Sequence, residues 1–231
     1  MTLYLTDLNA DASARPVLGA FSVRSAAAGW GAYRKVFKRV VDLTLVLLSA
    51  PFSVPLIALL ALLVALDGHN PFYTQLRVGR NGRYFRIWKL RSMVPDADRI
   101  LEAYLASNPA ARREWNATQK LRHDPRITRI GRVLRKLSLD ELPQLFNVAN
   151  GTMSLVGPRP MMVKQQLFYP GQAYYRLRPG ITGLWQVSDR NDCDFVGRVD
   201  YDEVYDRDMS LRTDLDVLFK TVSVVVRATG C

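Results

Sequence analysis

The chain has 231 residues, of which 48% are hydrophobic, so a wholly disordered protein is excluded. Its 32 Lys and Arg against 21 Asp and Glu give a formal net charge of +11. Such a surplus indicates anionic partners, which are phosphate-bearing substrates, lipid head groups or nucleic acid. Two cysteines and two isolated histidines indicate neither a disulfide framework nor a histidine-based metal site.

Residues 1–32 are rich in Ala, Ser and Arg and show no periodicity, which predicts a flexible N-terminal leader rather than a secretory signal. Residues 33–67 differ sharply, since positions 43–66 form a run of 24 residues without a charge. A run of about 20 apolar residues is long enough to cross a bilayer. The segment therefore predicts a membrane helix, with a buried core helix as the alternative.

Two features favour a membrane helix that enters the bilayer and returns to the same side. Pro51 and Pro55 lie in the middle of the run, and each removes a backbone donor and disturbs the preceding turn. Basic residues flank the run on both sides, and basic flanks stay on the cytoplasmic side of a membrane. We therefore predict a re-entrant helix broken at Pro55, with one straight span as the alternative.

Residues 68–231 have the composition of a cytosolic domain. Alternating basic and apolar residues at 72–91 predict one or two strands with a turn at 79–82. Helices are expected over 96–120 with an interruption at 108–109, over 127–137 and over 142–148. The chain is therefore expected to be of the α/β class, mostly α.

The last third of the chain is less regular. A Gly- and Pro-rich stretch at 157–183 and a polar loop reaching Asp208 are expected. From Leu211 to Val226, apolar residues recur at helical spacing. This pattern is typical of an amphipathic helix, which covers either a core or a membrane surface.

The densest group of candidate catalytic residues is the carboxylate pair Asp140 and Glu141, which closely follows Arg135 and Lys136. A structural role is one interpretation, because Ser138 and Glu141 match a capping box, or Asp140 is itself an N-cap. A functional role is the other. A carboxylate at a helix start beside basic residues stays ionised, and an ionised Asp can attack phosphorus or hold Mg²⁺.

Two other segments carry arginines suited to phosphate. Pro158 and Pro160 enclose Arg159 and restrict its backbone, so its guanidinium fork suits a diphosphate. A rigid turn with a solvated arginine is the alternative. Arg178 opens a glycine-rich segment that is followed by Arg190. Closely spaced glycines let backbone N–H groups approach a ligand, although a structural loop explains them equally well.

Five motifs occur in the order found in one protein family. They are KVFKRVVD at 35–42, WKLRSM at 88–93, LSLDELPQLFN at 137–147, MSLVGPRP at 153–160 and RPGITGLWQ at 178–186. Over residues 34–228 the sequence resembles the bacterial sugar transferases, the monotopic polyprenyl-phosphate phosphoglycosyl transferases. Within that family it is most similar to the short members that initiate exopolysaccharide synthesis by transferring galactose-1-phosphate or glucose-1-phosphate.

The resemblance implies a reaction. Asp140 would attack the β-phosphorus of a UDP-hexose, galactose or glucose, expel UMP and carry the phosphosugar until undecaprenyl phosphate accepts it. Mg²⁺ would bind at Asp140 and the diphosphate, and Glu141 would orient the metal or take a proton. The residues expected at the substrate phosphates are Arg135, Arg159, Lys89, Arg91, Arg178 and Arg190.

The resemblance also implies a location. The protein would lie in the bacterial inner membrane with its catalytic domain on the cytoplasmic face, against anionic lipids, with no nucleic-acid partner and with room for a homodimer. Pro55 matches the family's helix-breaking proline, whereas Val54 stands where serine is usual and Pro51 is an additional proline that shares the bend. A membrane-anchored nucleic-acid-binding protein and a non-enzymatic scaffold are the competing hypotheses.

Overall fold

The computed structural model describes residues 30–118, 121–188 and 195–226. The described part is mostly helical with two small two-stranded sheets, so the expected fold class is confirmed. Most of the predicted leader, 1–32, lies outside the described residues.

The chain enters the described part through a helical turn, Trp30–Ala32, and a π-helical turn, Tyr33–Phe37, and continues as α1, Lys38–Ala65. Pro51 and Pro55 both lie inside α1, and the segment is helical throughout. Neither proline unwinds the helix, since the turns on either side keep helical geometry. The re-entrant bend at Pro55 stays a prediction, because a proline can kink a helix without ending it. Tyr33–Ala65, with 33 residues, is long and apolar enough to cross a membrane.

The beginning of α1 is fixed to the domain that follows it by polar contacts. Lys38 Nζ lies 2.7 Å from Asp214 Oδ2, and both side chains are buried. Asp42 accepts hydrogen bonds from Ser154 Oγ at 2.7 Å and from the backbone N of Leu155 at 3.1 Å. Buried polar groups need such partners. The charges of Lys38 and Asp42 therefore specify where this otherwise apolar helix packs on the rest of the structure.

The far end of α1 packs on the same domain through apolar contacts. Its buried residues Ala61 and Val64 form one cluster with Leu90 and Leu134. Between the two attachments α1 is exposed, and Leu47, Leu48 and Phe52 are 70%, 68% and 80% accessible. Several large apolar side chains exposed side by side indicate a surface that is covered by lipid or by another apolar surface.

Strands β1, Phe72–Val78, and β2, Tyr84–Leu90, form an antiparallel hairpin around the turn at 79–82, which confirms the prediction. Gly82 adopts a φ of 72° in that turn, a conformation that favours glycine. In the register of the hairpin Tyr73 pairs with Lys89, and Arg77 pairs with Phe85. Because side chains alternate along a strand, Arg77 and Lys89 project from the same face.

The helices expected in the middle of the chain are confirmed. They are α2 (Ala97–Ser107), α3 (Pro109–Thr118), α4 (Arg129–Lys136) and α5 (Gln144–Ala149), with the 3-10 turn Leu139–Glu141 before α5. Asn108 explains the interruption between α2 and α3, since its Oδ1 accepts from the backbone N of Ala110 and Ala111 and so caps α3.

A small parallel sheet lies inside the Gly- and Pro-rich stretch. Strand β3, Ser154–Val156, pairs with β4, Gly180–Thr182. The approach is so close that a Cβ atom on Gly180 would lie 2.1 Å from the backbone N of Gly157, which only glycine permits. The 3-10 helix Val163–Phe168, α6 (Ala173–Arg176) and α7 (Leu184–Val187) complete this region.

The polar loop expected before Asp208 is wrong, because α8 occupies Arg198–Asp208. Tyr201 and Tyr205, one helical turn apart, are almost fully buried in the largest core cluster. Asp206 is also buried, and it pairs with Arg34 and Arg176. The buried face thus consists of tyrosines and paired acids, so the helix carries little of the aliphatic pattern that marks most buried helices.

The C-terminal helix α9, Leu211–Val226, confirms the predicted amphipathic helix. Its inner face buries Asp214 and Val217 against the domain. Leu218 packs against the largest core cluster, whereas Leu215, Phe219 and Val222 point outwards and are 38%, 72% and 62% accessible. Of the two sequence-based alternatives, this placement favours the membrane surface over the core.

Candidate active site

The turn that carries the carboxylate pair follows directly from α4. Thr128 caps α4 by accepting a 2.8 Å hydrogen bond from the backbone N of Gly131. After the helix, Ser138 takes a left-handed conformation with a φ of 55°, and the chain enters the 3-10 turn where Asp140 is buried. Ser138 makes no capping bond, and the N-cap of α5 is Pro143. Both capping interpretations are therefore wrong.

Two cations from different elements converge on the carboxylate pair. Lys89 in β2 places its Nζ 2.7 Å from Glu141 Oε1 and 3.7 Å from Asp140 Oδ2. Arg159, in the loop after β3, places its Nη2 3.9 Å from Glu141 Oε1. Lys89 and Arg159, both predicted from the sequence, thus lie at the pair.

The electrostatics of Asp140 differ from the expectation that it is simply held ionised. Burial is the largest influence and raises the pKa of its carboxyl group. Lys89 and Arg135 oppose that rise, whereas the neighbouring charge of Glu141 adds to it. The side chain of Asp140 is only 11% accessible, so loss of hydration outweighs the nearby cations.

Arg77 is a further cation of the site that was not predicted there. It is half-buried, and its Nη1 donates to the carbonyl of Pro160 at 3.2 Å while its Nη2 donates to Gln75. Its Nε has no hydrogen-bond partner among the described residues. Burial, together with the charge of Arg159, lowers the pKa of Arg77. The signal in the sequence was the hairpin register, which places Arg77 on the face of Lys89.

Together these residues line a small polar pocket. Arg77, Lys89 and Arg159 supply three cations, and Glu141 and the almost fully buried Gln144 complete the polar wall. Guanidinium and ammonium groups that converge in this way suit an anion with several oxygens, such as a diphosphate.

Arg91, expected at the substrate phosphates, lies elsewhere and is a correction to the sequence-based assignment. Its Nη1 and Nη2 donate to the two carboxylate oxygens of Asp67 at 2.8 and 2.6 Å. Its Nε donates to the carbonyl of Asn70, and Nη2 also reaches the carbonyl of Val64. All three guanidinium nitrogens are engaged, so Arg91 anchors the end of α1.

The remaining predicted arginines are placed as follows. Arg135, at the end of α4, is half-buried and acts on Asp140 through its charge. Arg178 donates through Nε to the carbonyl of Gly151 at 3.1 Å, a contact on the loop after α5 rather than at the carboxylate pair. Arg190 lies outside the described residues.

The expected Mg²⁺ needs oxygen ligands, and the site offers the carboxylates of Asp140 and Glu141. Among the described residues no three His, Cys, Asp or Glu side chains group together as metal ligands. Asp140 and Glu141 do supply adjacent carboxylates, and Mg²⁺ commonly takes one or two carboxylates plus substrate phosphates and water. The residues fit an ion that arrives with a diphosphate, and they do not form an all-protein cage.

A second cavity, of about 270 Å³, adjoins the polar pocket. The two share Glu141, Arg159 and Ile181 in their walls. Most other side chains of the second cavity are aliphatic, and α9 forms one of its sides. We call this cavity the aliphatic cleft.

Comparison with known proteins identifies the family. Residues 33–228 match the family described as bacterial sugar transferase. The exopolysaccharide production protein ExoY of Sinorhizobium fredii is 46% identical over 198 residues, which cover 84% of this chain and 88% of that protein. The undecaprenyl-phosphate galactose phosphotransferase of Salmonella typhimurium is 46% identical over 198 residues, 85% of this chain and 42% of that protein.

A third relative is the UDP-glucose:undecaprenyl-phosphate glucose-1-phosphate transferase of Escherichia coli, 34% identical over 200 residues, 81% of this chain and 40% of that protein. The chain thus spans most of the first relative and about two fifths of the two longer ones. The family match covers the hairpin, the carboxylate pair and the loop of Arg159, that is, every element of the site described above. The chain belongs to the bacterial sugar transferase family.

Proposed function

We propose that this protein transfers a hexose-1-phosphate from a UDP-hexose to undecaprenyl phosphate, the first membrane step of exopolysaccharide synthesis. The names of the relatives from Salmonella typhimurium and Escherichia coli support this reaction, with galactose and glucose as the two candidate sugars. The single observation that carries the proposal is the pair of the buried Asp140 and the half-buried Glu141 beside three converging cations. Such a pocket provides both a nucleophile and a binding site for phosphate.

In the first half of the reaction, an oxygen of Asp140 forms a bond to the β-phosphorus of the UDP-hexose. The bond from that phosphorus to the bridging oxygen breaks, and UMP leaves with the electron pair. Arg77, Lys89 and Arg159 bind the diphosphate oxygens and stabilise the charge that develops on UMP. A carboxylate such as Asp140 that has lost its hydration on burial is a stronger nucleophile than a hydrated one, provided that it is ionised.

In the second half, a phosphate oxygen of undecaprenyl phosphate attacks the phosphorus held by Asp140. The acyl–phosphate bond breaks, the Asp140 carboxylate is restored, and undecaprenyl-diphosphate-hexose leaves. Glu141, held by Lys89 at 2.7 Å, is positioned to take a proton from a monoprotonated acceptor phosphate. Asp140 and Glu141 are also the residues that would hold Mg²⁺, which supplies charge neutralisation for the diphosphate when bound.

We further propose that α1 enters the inner membrane and returns, with the catalytic domain on the cytoplasmic face against anionic lipids. The support is that both ends of α1 contact one domain: Lys38 and Asp42 bind it near the start, and Val64 packs on it near the end. A straight span would separate these contacts by a bilayer, whose hydrocarbon core alone is about 30 Å thick. The exposed apolar middle of α1 is the part left to enter the lipid.

The catalytic proposal is tested with Asp140→Asn in nanodiscs that contain undecaprenyl phosphate and Mg²⁺. UMP release and trapping of a radiolabelled phosphosugar on the protein are measured with UDP-galactose and with UDP-glucose. We expect turnover to fall by at least about a thousandfold and the covalent adduct to disappear, because the nucleophile is lost. Asp216→Asn, at an exposed position of α9, is the control and should keep parental turnover. Near-parental UMP release by Asp140→Asn would refute the assignment.

The topology is tested with single cysteines, one in the leader and one at His69, in a Cys193→Ser/Cys231→Ser background. A membrane-impermeant maleimide is applied to intact and to permeabilised cells. We expect both cysteines to react only after permeabilisation, because both ends of α1 lie in the cytoplasm. Opposite labelling of the two positions would establish a straight span.

A further inference from the structure

The aliphatic cleft has no role in the chemistry of the carboxylate pair, yet it opens beside it. Leu137, Leu142 and Leu145, from the segment around Asp140, line it. Leu218 and Val224 of α9 line it as well. Glu141 and Arg159 lie where the cleft meets the polar pocket. The cavity is thus charged at one end and aliphatic along its walls.

This lining decides between the ligands of the proposed reaction. Ser138, Thr182, Gln186 and Thr221 are the other polar side chains of the lining, and leucines and valines form most of the rest. A hexose or a uracil ring carries polar groups around its edge, and the aliphatic part of the lining would leave many of them unpaired. A hydrocarbon chain with a phosphate head suits this lining better, since the aliphatic side chains suit the chain and Arg159 suits the phosphate. The cavity volume of about 270 Å³ approaches the range of ligand pockets, which begins near 300 Å³.

The outer surface of α9 connects the cleft with the lipid phase. Leu218 and Val224 face the cleft, whereas Phe219 and Val222, on the same turns, are 72% and 62% accessible on the outside. One helix therefore presents apolar residues both to the cavity and to its exterior. A lipid-borne chain would therefore meet apolar side chains on both sides of this helix.

From these observations we propose that the aliphatic cleft binds the phosphate-proximal isoprene units of the polyprenyl acceptor and aims its phosphate at Asp140. This inference rests on the proposed function. It assigns Leu145, Leu218 and Val224 to the acceptor half of the reaction and leaves them without a role in the nucleotide half.

Gln186 provides a means of distinguishing the possible occupants. It lies in the cleft wall and is buried, and both atoms of its amide group lack a hydrogen-bond partner among the described residues. If a nucleobase or sugar occupied the cleft, this amide would bind it, and Gln186→Leu would raise the KM for UDP-hexose. With a polyprenyl chain in the cleft, the KM for UDP-hexose stays within about twofold in that variant.

The direct test fills the cleft from the C-terminal helix. Val224→Trp is compared with Val222→Trp, which adds the same ring to the exposed face of the same helix. A pre-steady-state burst of UMP without acceptor reports the first half-reaction and correct folding, and the KM for undecaprenyl phosphate reports the second. We expect Val224→Trp to raise that KM by at least about tenfold with an unchanged UMP burst, and Val222→Trp to change neither.

Leu145→Trp fills the cleft from the segment that follows the catalytic turn. It should also raise the KM for undecaprenyl phosphate with an unchanged UMP burst, and Phe146→Trp is its exposed control. An acceptor KM that stays parental in both Val224→Trp and Leu145→Trp overturns the inference. So does a raised KM for UDP-hexose in the cleft variants or in Gln186→Leu. Absence of the UMP burst from the parental protein would instead refute the proposed function.

Discussion

The carboxylate of Asp214 joins the beginning of the membrane helix to the C-terminal helix and to α8. It accepts hydrogen bonds from Tyr33 Oη at 2.6 Å, Lys38 Nζ at 2.7 Å and Tyr205 Oη at 2.6 Å. The side chains of Lys38 and Asp214 are only 10% and 4% accessible. We predict that Asp214→Asn destabilises the protein by about 3–5 kcal/mol, because it leaves the Lys38 ammonium buried without a counter-charge.

The magnitude follows from what the substitution retains. The amide oxygen of asparagine still accepts from the two tyrosines, so the loss comes mainly from the unpaired ammonium. In a chain of this length, 1 kcal/mol corresponds to about 2–4 °C in Tm, so we expect a decrease of about 6–20 °C. Thermal unfolding in detergent micelles, followed by tryptophan fluorescence, measures it. Asp216→Asn, at an exposed position of the same helix, is the control and should shift Tm by no more than about 2 °C.

A double variant tests the reasoning itself. Lys38→Met/Asp214→Asn removes the buried ammonium while keeping the acceptor for Tyr33 and Tyr205, so it should recover more than half of the lost Tm. A Tm for Asp214→Asn within about 2 °C of the parental value would refute the prediction. A double variant no more stable than the single one would show that the unpaired charge is not the cause.

Two further predictions concern folding. Burial raises the pKa of Asp202, which accepts a 2.7 Å hydrogen bond from Tyr169 Oη, to about 7 from an ordinary value of 3.8. The folded state therefore binds the proton more tightly, so unfolding free energy falls as pH rises from about 4 to about 7. Asp202→Asn should remove that part of the pH dependence, which Tm measurements at several pH values test; equal slopes in both proteins would contradict it. Gly131→Ala places a Cβ atom 2.0 Å from the carbonyl oxygen of Ser92 and should lower stability by about 1–3 kcal/mol. Gly31→Ala, with open space around it, should not, and equal Tm values for the two would contradict the steric argument.

Local patterns predicted the elements whose signals lie in neighbouring residues. The hairpin followed from alternation and the turn at 79–82, and the break between α2 and α3 followed from Asn108. Helix α8 was missed, because its buried face uses tyrosines and acids that pair with Arg34 and Arg176 from distant segments. The parallel pair of β3 and β4 was missed because each strand has only three residues. Pairings between distant segments leave little trace in a local pattern.

The candidate site divides in the same way. The carboxylate pair and Lys89 were predicted from motifs, and the structure brings them together. The ionisation of Asp140 could not be predicted, because it depends on burial rather than on the sequence neighbours that suggested a charged state. Arg91 was assigned to phosphate from the family resemblance, in the same motif as Lys89. It lies beyond the end of β2 and turns to Asp67, and a motif does not reveal that difference.

The hydrogen bonds of Asp42 connect the long apolar helix to the strand that leads to Arg159. Asp42 sits in α1 and holds Ser154 and Leu155 of β3, the strand that leads into the loop of Arg159. The position of β3, and with it the loop that carries Arg159, is therefore tied to the position of α1 by two hydrogen bonds. A substitution of Asp42 would release the start of the apolar helix and loosen the strand before Arg159 at the same time.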